Sequence, residues 1–247
     1  MTAIAERLPF GPRVGAVLAV AGVCVGALLA GLVAILSISA TVRPLVAGAD
    51  AFRVVSGNLI QVGFAGFAIG YLAWVSEVDR FVSVRIPTRG DIAWTAIAAL
   101  GVPVVGVAGA AALSAIGLPE PMPGGGGRVD LLSSPMLWPV AFVGLYLFAA
   151  PAEELVFRGI VQGRLREWFG TVETVLLSAA VFGLLHFLVG LLTPAVAFDG
   201  SLYWGLSALV PGVIWGYAYE RTRNLVVPAT AHAMSWTVPF GELLPFV

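Results

Sequence analysis

Two adjacent carboxylates end a long apolar run, in the sequence Pro151-Ala-Glu-Glu-Leu-Val-Phe-Arg-Gly159. Acidic side chains at membrane depth are costly, so Glu153 and Glu154 are candidates for a function. Arg158 follows Glu154 by four residues, a spacing that lets the two side chains pair on one helix face. Glu153 lies about 100° around the helix and has no adjacent cation in sequence. Such a carboxylate is suited to take a proton from water.

The chain contains two histidines, His186 and His232, and both lie in apolar segments. Their side chains are suited to acid–base chemistry at neutral pH. Counted from the turn at 169–170, Glu153 and His186 both lie roughly 22 Å along their helices, because an α-helix rises about 1.5 Å per residue. By the same count His232 lies about 12 Å from the loop at Asn224, nearer to the membrane surface.

The elements that must position these side chains are transmembrane helices. Hydrophobic residues make up 59% of the 247 residues and charged residues 11%, with a mean hydropathy of +0.97. A soluble domain carries roughly 25% charged residues, so we expect an integral membrane protein surrounded by lipid.

The net charge of -1 gives no reason to expect a nucleic-acid partner. The chain has no lysine, which argues against a Walker-type nucleotide loop, and the single Cys24 excludes an intrachain disulfide.

Seven apolar stretches are long enough to cross the hydrocarbon core. They cover residues 14–38, 57–76, 92–117, 134–152, 171–192, 202–219 and 225–246. If the N-terminus is inside, ten of the thirteen arginines fall in inside segments, as the positive-inside rule requires. The sequence therefore predicts an all-α, polytopic transmembrane helix bundle of about seven spans, with its N-terminus in and its C-terminus out. We expect the plasma membrane of a prokaryote.

A Pro/Gly-rich linker at 119–127 precedes the residues that could do chemistry, and its composition is typical of a flexible loop. It separates an N-terminal three-span region with interfacial loops, residues 1–133, from a catalytic four-span core, residues 134–247. The fourth span should continue as an amphipathic helix to about residue 168, with its last turns in the cytoplasmic interface.

The motifs resemble those of the CAAX-protease and bacteriocin-processing family, also called Abi or type II CAAX prenyl endopeptidases. Glu153-Glu154-x-x-x-Arg158 resembles the family's first motif, and Phe182-Gly-Leu-Leu-His186 resembles the second, Phe-x-x-x-His. Pro228-Ala-Thr-Ala-His232-Ala resembles the third. Order and spacing also fit, and the resemblance covers roughly residues 134 to 240.

The resemblance implies an intramembrane endopeptidase, described in this family as a metalloprotease. Glu153 would be the general base that activates a water. His186 would help to hold that water, and His232 would stabilise the developing oxyanion. Glu154 and Arg158 would be mainly structural. The substrate would be a peptide or a lipidated protein, and prenylation of the substrate is left open, as is the oligomeric state.

The chain departs from the family pattern in the third motif, which usually reads His-x-x-x-Asn. Trp236 stands at the Asn position, after Ser235. The Asn amide is taken to help to stabilise the oxyanion, whereas an indole donates one N–H and accepts nothing. We include Phe182, Ser235 and Trp236 as supporting residues of the predicted site.

Two other chemistries use the same region. Glu153, His186 and His232 would suit a three-ligand zinc site, although the usual His-Glu-x-x-His helix is absent and no metal is required. A serine mechanism would use one of three residues, but none sits in a Gly-x-Ser-x-Gly elbow. These are Ser178, Ser207 and Ser235.

Two other functions also fit a buried cluster of Glu and His. The alternative to an enzyme is a non-catalytic scaffold or a bacteriocin self-immunity protein, which Trp236 favours. A proton-coupled transporter is the third hypothesis, because buried Glu and His also serve proton relays. The absence of a visible internal repeat argues against it. We interpret Asn58, Gln61 and Glu77 as packing or interface residues.

Overall fold

The structure is a computed structural model that describes residues 11–46, 52, 58–118, 135–193 and 196–238. These residues form helices and no strand, which confirms the all-α prediction. The helices are α1 (Pro12–Val42), α2 (Leu59–Val75), α3 (Val78–Phe81), α4 (Arg89–Ala115), α5 (Trp138–Arg166), α6 (Thr171–Leu191), α7 (Phe198–Ser207), α8 (Leu209–Thr222) and α9 (Val226–Thr237).

Four helices, α1, α4, α5 and α6, are long and apolar enough to cross a membrane, and α2 is a shorter apolar helix. The molecule is therefore an integral membrane protein with several spans, whereas the count of seven and the orientation stay predictions. The linker at 119–127 and the predicted boundary at 133/134 lie outside the described residues. So do most of the loop after α1 and the end of the predicted seventh span.

Segments that the sequence assigns to the cytoplasmic side meet at one end of the bundle. Arg80, after α2, pairs with Glu167 at the end of α5 at 2.7 Å, and Arg166 pairs with Glu220 of α8 at 2.5 Å. Arg80 also donates a hydrogen bond to Glu77, which lowers the pKa of that carboxyl below its ordinary value. Three of the predicted inside segments thus lie on the same side of the molecule.

Helix α5 lies in the middle of the bundle and packs against α1, α2, α6 and α9. The amphipathic pattern predicted after Pro151 is wrong for residues 156–165, which are buried on every side, whereas the last residues, Glu167 and Trp168, are exposed. The position of these last residues in the cytoplasmic interface stays a prediction. The polar side chains of residues 156–165 find partners on other helices instead of water. Gln162, for example, donates a hydrogen bond to the carboxylate of Glu220 at 2.6 Å.

The winding of α5 changes on both sides of the paired glutamates. Phe142–Ala149 and Leu155–Val161 are π-helical, whereas Ala150–Glu154 between them is α-helical. Pro151 has no N–H to donate to the carbonyl four residues earlier, so a regular α-helical ladder cannot continue through it. A π turn is one residue wider than an α turn and is frequent at functional sites.

Helices α1 and α2 touch at Gly63, where an added Cβ would lie 2.2 Å from the carbonyl oxygen of Ala30. Small residues allow such close approach of helices in a membrane. This contact fixes the position of α2 beside α5. It also places Gln61, two residues before Gly63, in the interior of the bundle.

Candidate active site

Three side chains of α5 and one of α9 form a buried group that we call the glutamate–histidine cluster. Its members are Glu153, Glu154, Arg158 and His232, and none is more than 5% exposed. They face the inside of the bundle and not the surface that lipid would cover. Charged groups in such a place need partners, because desolvation penalises an isolated charge heavily.

Glu154 holds the cluster together. Its Oε1 accepts hydrogen bonds from Arg158 Nη1 at 3.1 Å and from His232 Nδ1 at 2.8 Å, and Arg158 Nε lies 3.1 Å from its Oε2. The pair four residues apart forms as the sequence predicts. Arg158 also donates to the carbonyl of Gly212 in α8, and its guanidinium lies over the ring of Phe182. Glu154 and Arg158 therefore anchor the imidazole of His232.

Glu153 has a different environment from its neighbour. Its Oε1 accepts a hydrogen bond from Gln61 Nε2 of α2 at 2.6 Å. Its Oε2 is buried, has no hydrogen-bond partner among the described protein groups, and lies 3.8 Å from His232 Nε2. The cluster thus presents one uncommitted carboxylate oxygen beside one imidazole nitrogen, an arrangement able to handle a proton and a developing negative charge.

Aromatic rings fix the orientation of His232. Its imidazole stacks on Trp215 of α8, with centroids 4.0 Å apart, and packs at 4.2 Å against Trp236. Phe182 stands edge-on at 6.2 Å. Ser235 Oγ donates to the backbone carbonyl of His232 at 2.7 Å. The imidazole can therefore keep Nδ1 on Glu154 while Nε2 stays on the side of the other glutamate.

His186 is not hydrogen-bonded to this group, although Phe182 packs against its ring and against that of His232. It is half-buried in α6, and its ring packs against Phe182 at 4.3 Å and against Trp204 at 5.6 Å. Its Nδ1 lies 2.8 Å from the carbonyl of Phe182, which can only accept, so Nδ1 carries a hydrogen and Nε2 of the neutral ring is an acceptor. In the described part of the chain no hydrogen bond or ion pair joins His186 to either glutamate.

The structure brings His232 to the depth of Glu153, although the count along α9 placed it nearer to the surface. In the turn before α9, Asn224 is fully buried, whereas Arg223 beside it is exposed. The Asn224 side chain accepts hydrogen bonds from the backbone N–H groups of Arg85 and Val226 and donates to the carbonyl of Arg85. The segment at Arg85 therefore covers the start of α9, so a count that takes Asn224 as the surface underestimates the depth of His232.

The three serines considered for a nucleophile donate their hydroxyl hydrogens to backbone carbonyls. Ser178 donates to Phe157, Ser207 to Trp204 and Ser235 to His232. None of the three makes a hydrogen bond to a histidine side chain within the described residues. A serine activated by an adjacent base is therefore not assembled here.

The zinc alternative needs three converging ligands. Among the residues that the structure describes, no group of three His, Cys, Asp or Glu side chains could hold a metal ion. Glu153 and His232 approach each other, but His186 does not complete the set. Because these residues do not fit a three-ligand zinc site, the chemistry derived below runs through side chains and water.

Gln61 is a site residue that we did not predict from the sequence, where it was interpreted as a packing residue. It is buried, lies in an apolar helix and reaches Glu153 across 92 residues of sequence. The sequence feature that could have identified it is an amide side chain at membrane depth, where polar side chains usually find a partner. Which partner it finds follows only from the packing of α2 on α5.

Comparison with known proteins gives a match to a family model over the C-terminal part of the chain. Residues 135–238 match the family model described as Type II CAAX prenyl endopeptidase Rce1-like. The chain carries an Rce1-like domain. This domain contains the whole glutamate–histidine cluster and confirms the resemblance that the motifs indicated. It supports a CAAX protease-like membrane enzyme. No curated protein and no solved structure matches the chain.

Proposed function

We propose that this protein is an intramembrane endopeptidase in which Glu153 activates a water molecule for attack on a peptide carbonyl. The observation that supports this proposal is the state of Glu153 Oε2. It is a buried carboxylate oxygen without a protein hydrogen-bond partner among the described residues, 3.8 Å from His232 Nε2. A general base needs such an uncommitted lone pair next to a group that can stabilise the charge that forms.

The reaction follows from these two atoms. Glu153 Oε2 takes a proton from water while the water oxygen bonds to the carbonyl carbon. The carbonyl oxygen becomes an oxyanion, which the Nε2–H of a doubly protonated His232 stabilises. The C–N bond then breaks, and the proton on Glu153 passes to the leaving amine. The products are one carboxylic acid and one amine, and the acid proton then passes to the amine to give a carboxylate and an ammonium.

Charge balance favours this protonation of His232. The cluster contains two carboxylates, Glu153 and Glu154, and one guanidinium, Arg158. A doubly protonated His232 makes its net charge zero, which limits the cost of burying the four groups. His232 Nδ1–H donates to Glu154, so the hydrogen available to the oxyanion is the one on Nε2.

His186 completes the proposal as an acceptor. Its Nδ1 is held by the Phe182 carbonyl, which leaves Nε2 able to accept a hydrogen bond from the water or from the leaving amine. Phe182 packs against the rings of both histidines. We assign His186 to holding the water beside Glu153.

The substrate class that we propose is supported by the similarity to the Rce1-like family and by no contact in the structure. Cleavage of CAAX type, near the C-terminus of a membrane-associated peptide or lipidated protein, is the reaction that we propose. The enzyme would act in the plasma membrane of a prokaryote, and no nucleic-acid partner is expected.

The decisive experiment uses the purified protein in lipid vesicles with fluorogenic peptides, both farnesylated and plain. We expect wild type to cleave, and we expect Glu153→Gln to lose cleavage by a factor of 10³ or more while remaining folded, because an amide cannot take the proton. His186→Ala should retain a small residual rate. Full activity of Glu153→Gln would contradict the proposal.

A non-catalytic member of the same family is the second candidate, and it draws on Trp236. This side chain occupies the usual Asn position and packs against His232. A wild type that is inert on every peptide, together with a Trp236→Asn variant that gains cleavage, would favour a binding-only protein. Cleavage by wild type that Trp236→Asn does not exceed would favour the enzyme.

A further inference from the structure

We infer that Gln61, which lies outside the Rce1-like domain, is a positioning residue for Glu153, so that the N-terminal helices supply part of the active site. The inference rests on the proposed function, because it assigns Gln61 to the orientation of the catalytic base. It also concerns a part of the chain that the family match at 135–238 does not cover.

The hydrogen bond defines which oxygen of Glu153 is free. Gln61 Nε2 lies 2.6 Å from Glu153 Oε1, and both side chains are buried. The carboxylate can only accept, so the amide donates. With Oε1 occupied, Oε2 is left as the atom that faces His232 Nε2. Gln61 thereby selects the oxygen that takes the proton and fixes the plane of the carboxylate.

The amide is held in place by backbone packing. At Gly63 the backbones of α1 and α2 are in contact, and an added Cβ on Gly31 of α1 would lie 2.6 Å from the side chain of Ile60. These contacts prevent α2 from sliding along α1. The donor therefore reaches Glu153 from a rigid element, which is what a preorganised site requires.

A packing role for Gln61 makes a different prediction. An amide in an apolar helix is costly unless it is hydrogen-bonded, whereas methionine has nearly the same length and no such cost. If Gln61 only fills space, Gln61→Met should leave the reaction unchanged. If Gln61 orients Glu153, the same substitution should slow the chemical step and leave substrate binding unchanged.

The chain provides a matched control. Gln162 is also a buried glutamine whose Nε2 donates to a glutamate at 2.6 Å, but its partner is Glu220, at the end of the bundle where Arg166 binds. Gln162→Met removes an equally short bond between the same two residue types, together with a 3.0 Å bond to the carbonyl of Gly216, away from the glutamate–histidine cluster. It reports what such a loss does to folding alone.

The test measures kcat and KM in lipid vesicles, per amount of folded protein. Gln61→Met is expected to lower kcat by roughly 10- to 100-fold with KM within about twofold, because small misplacements of a catalytic group cost rates of this order. Gln162→Met is expected to keep the kcat of wild type. Equal values of kcat for Gln61→Met and wild type would overturn the inference.

A second measurement does not depend on peptide cleavage. The shift in Tm is compared for Gln61→Met, Glu153→Met and the double variant. A hydrogen bond between the two side chains makes the double variant lose less than the sum of the single losses. Additive losses would overturn the inference whatever the activity. If the Tm losses of the variants are coupled but the wild type cleaves no peptide, the proposed function is refuted, and the positioning role falls with it.

Discussion

The imidazole Nδ1 of His232 lies 2.8 Å from Oε1 of Glu154, a residue 78 positions earlier in the chain. The same carboxylate binds Arg158, so one side chain ties α9 to α5 and turns His232 Nε2 towards Glu153. The two adjacent glutamates therefore have different tasks. Glu154 is committed to Arg158 and His232, whereas Glu153 keeps one oxygen without a protein hydrogen-bond partner among the described residues and is the general base that we propose.

This difference predicts a large loss of stability for one isosteric substitution and a small change for the other. Glu154→Gln leaves Arg158 buried without its counter-charge, and breaking a buried pair in this way costs about 3–5 kcal/mol of stability. Glu153→Gln still has an oxygen that accepts from Gln61, so its stability should change by less than about 1 kcal/mol. Denaturant unfolding in detergent checks both, and equal losses of stability would show that the two carboxylates are interchangeable.

The sequence was sufficient for the class of fold and for the residues of α5 that form the cluster. Helical periodicity fixes the pairing of Glu154 with Arg158, because four residues make about one turn. It also indicates that Glu153 points elsewhere. Both predictions concern residues on one helix, and their relative positions depend on the helix alone and not on the packing of the other helices.

Contacts between residues on different helices could not be predicted from the sequence. The depth of His232 depends on how the segment at Arg85 covers the turn at Asn224, and the partner of Gln61 depends on the close contact of α2 with α1 at Gly63. The burial of Arg158 and Gln162 also depends on how neighbouring helices pack against α5. Their polar pattern was typical of an interface, but neighbouring helices supply acceptors where water was expected.

The buried residue Asn224, in the turn before α9, gives a second prediction. Its side chain is bonded to both backbone groups of Arg85. Asn224→Ala removes these hydrogen bonds from a fully buried side chain, at a cost of about 1–3 kcal/mol. It should also lower the cleavage rate, because α9 carries His232. Thr193→Ala, which removes a hydrogen bond to Val189 at the end of α6, is the control and should cost less. Equal stability losses would contradict the role of Asn224.

A third prediction concerns Trp236, whose ring packs at 4.2 Å against His232. If the ring acts by holding the imidazole, Trp236→Phe should keep the cleavage rate within about threefold, whereas Trp236→Ala should lower it by tenfold or more, because the imidazole is then free to move. Peptide cleavage in vesicles, normalised to folded protein, measures both. A large loss in Trp236→Phe would instead assign a role to the indole N–H.

The fourth prediction addresses metal dependence. The described residues do not supply three converging ligands, and the proposed reaction needs only side chains and water. Cleavage should therefore change by less than about twofold after dialysis against EDTA or 1,10-phenanthroline, since a zinc-dependent hydrolase loses its activated water with the metal. Loss of activity on chelation, and its return with added zinc, would replace the water-only mechanism with a metal-dependent one.

The orientation of the bundle gives the fifth prediction. The positive-inside rule puts the segment before α4 in the cytoplasm and the end of α4 outside. Ile86 and Ile116 occupy these two places and are 90% and 71% exposed. In a Cys24→Ala background, Ile116→Cys should react with a membrane-impermeant maleimide on intact cells. Ile86→Cys should react only after the cells are opened. The reverse pattern would invert the bundle and place the ion pairs of Arg80 and Arg166 on the outside.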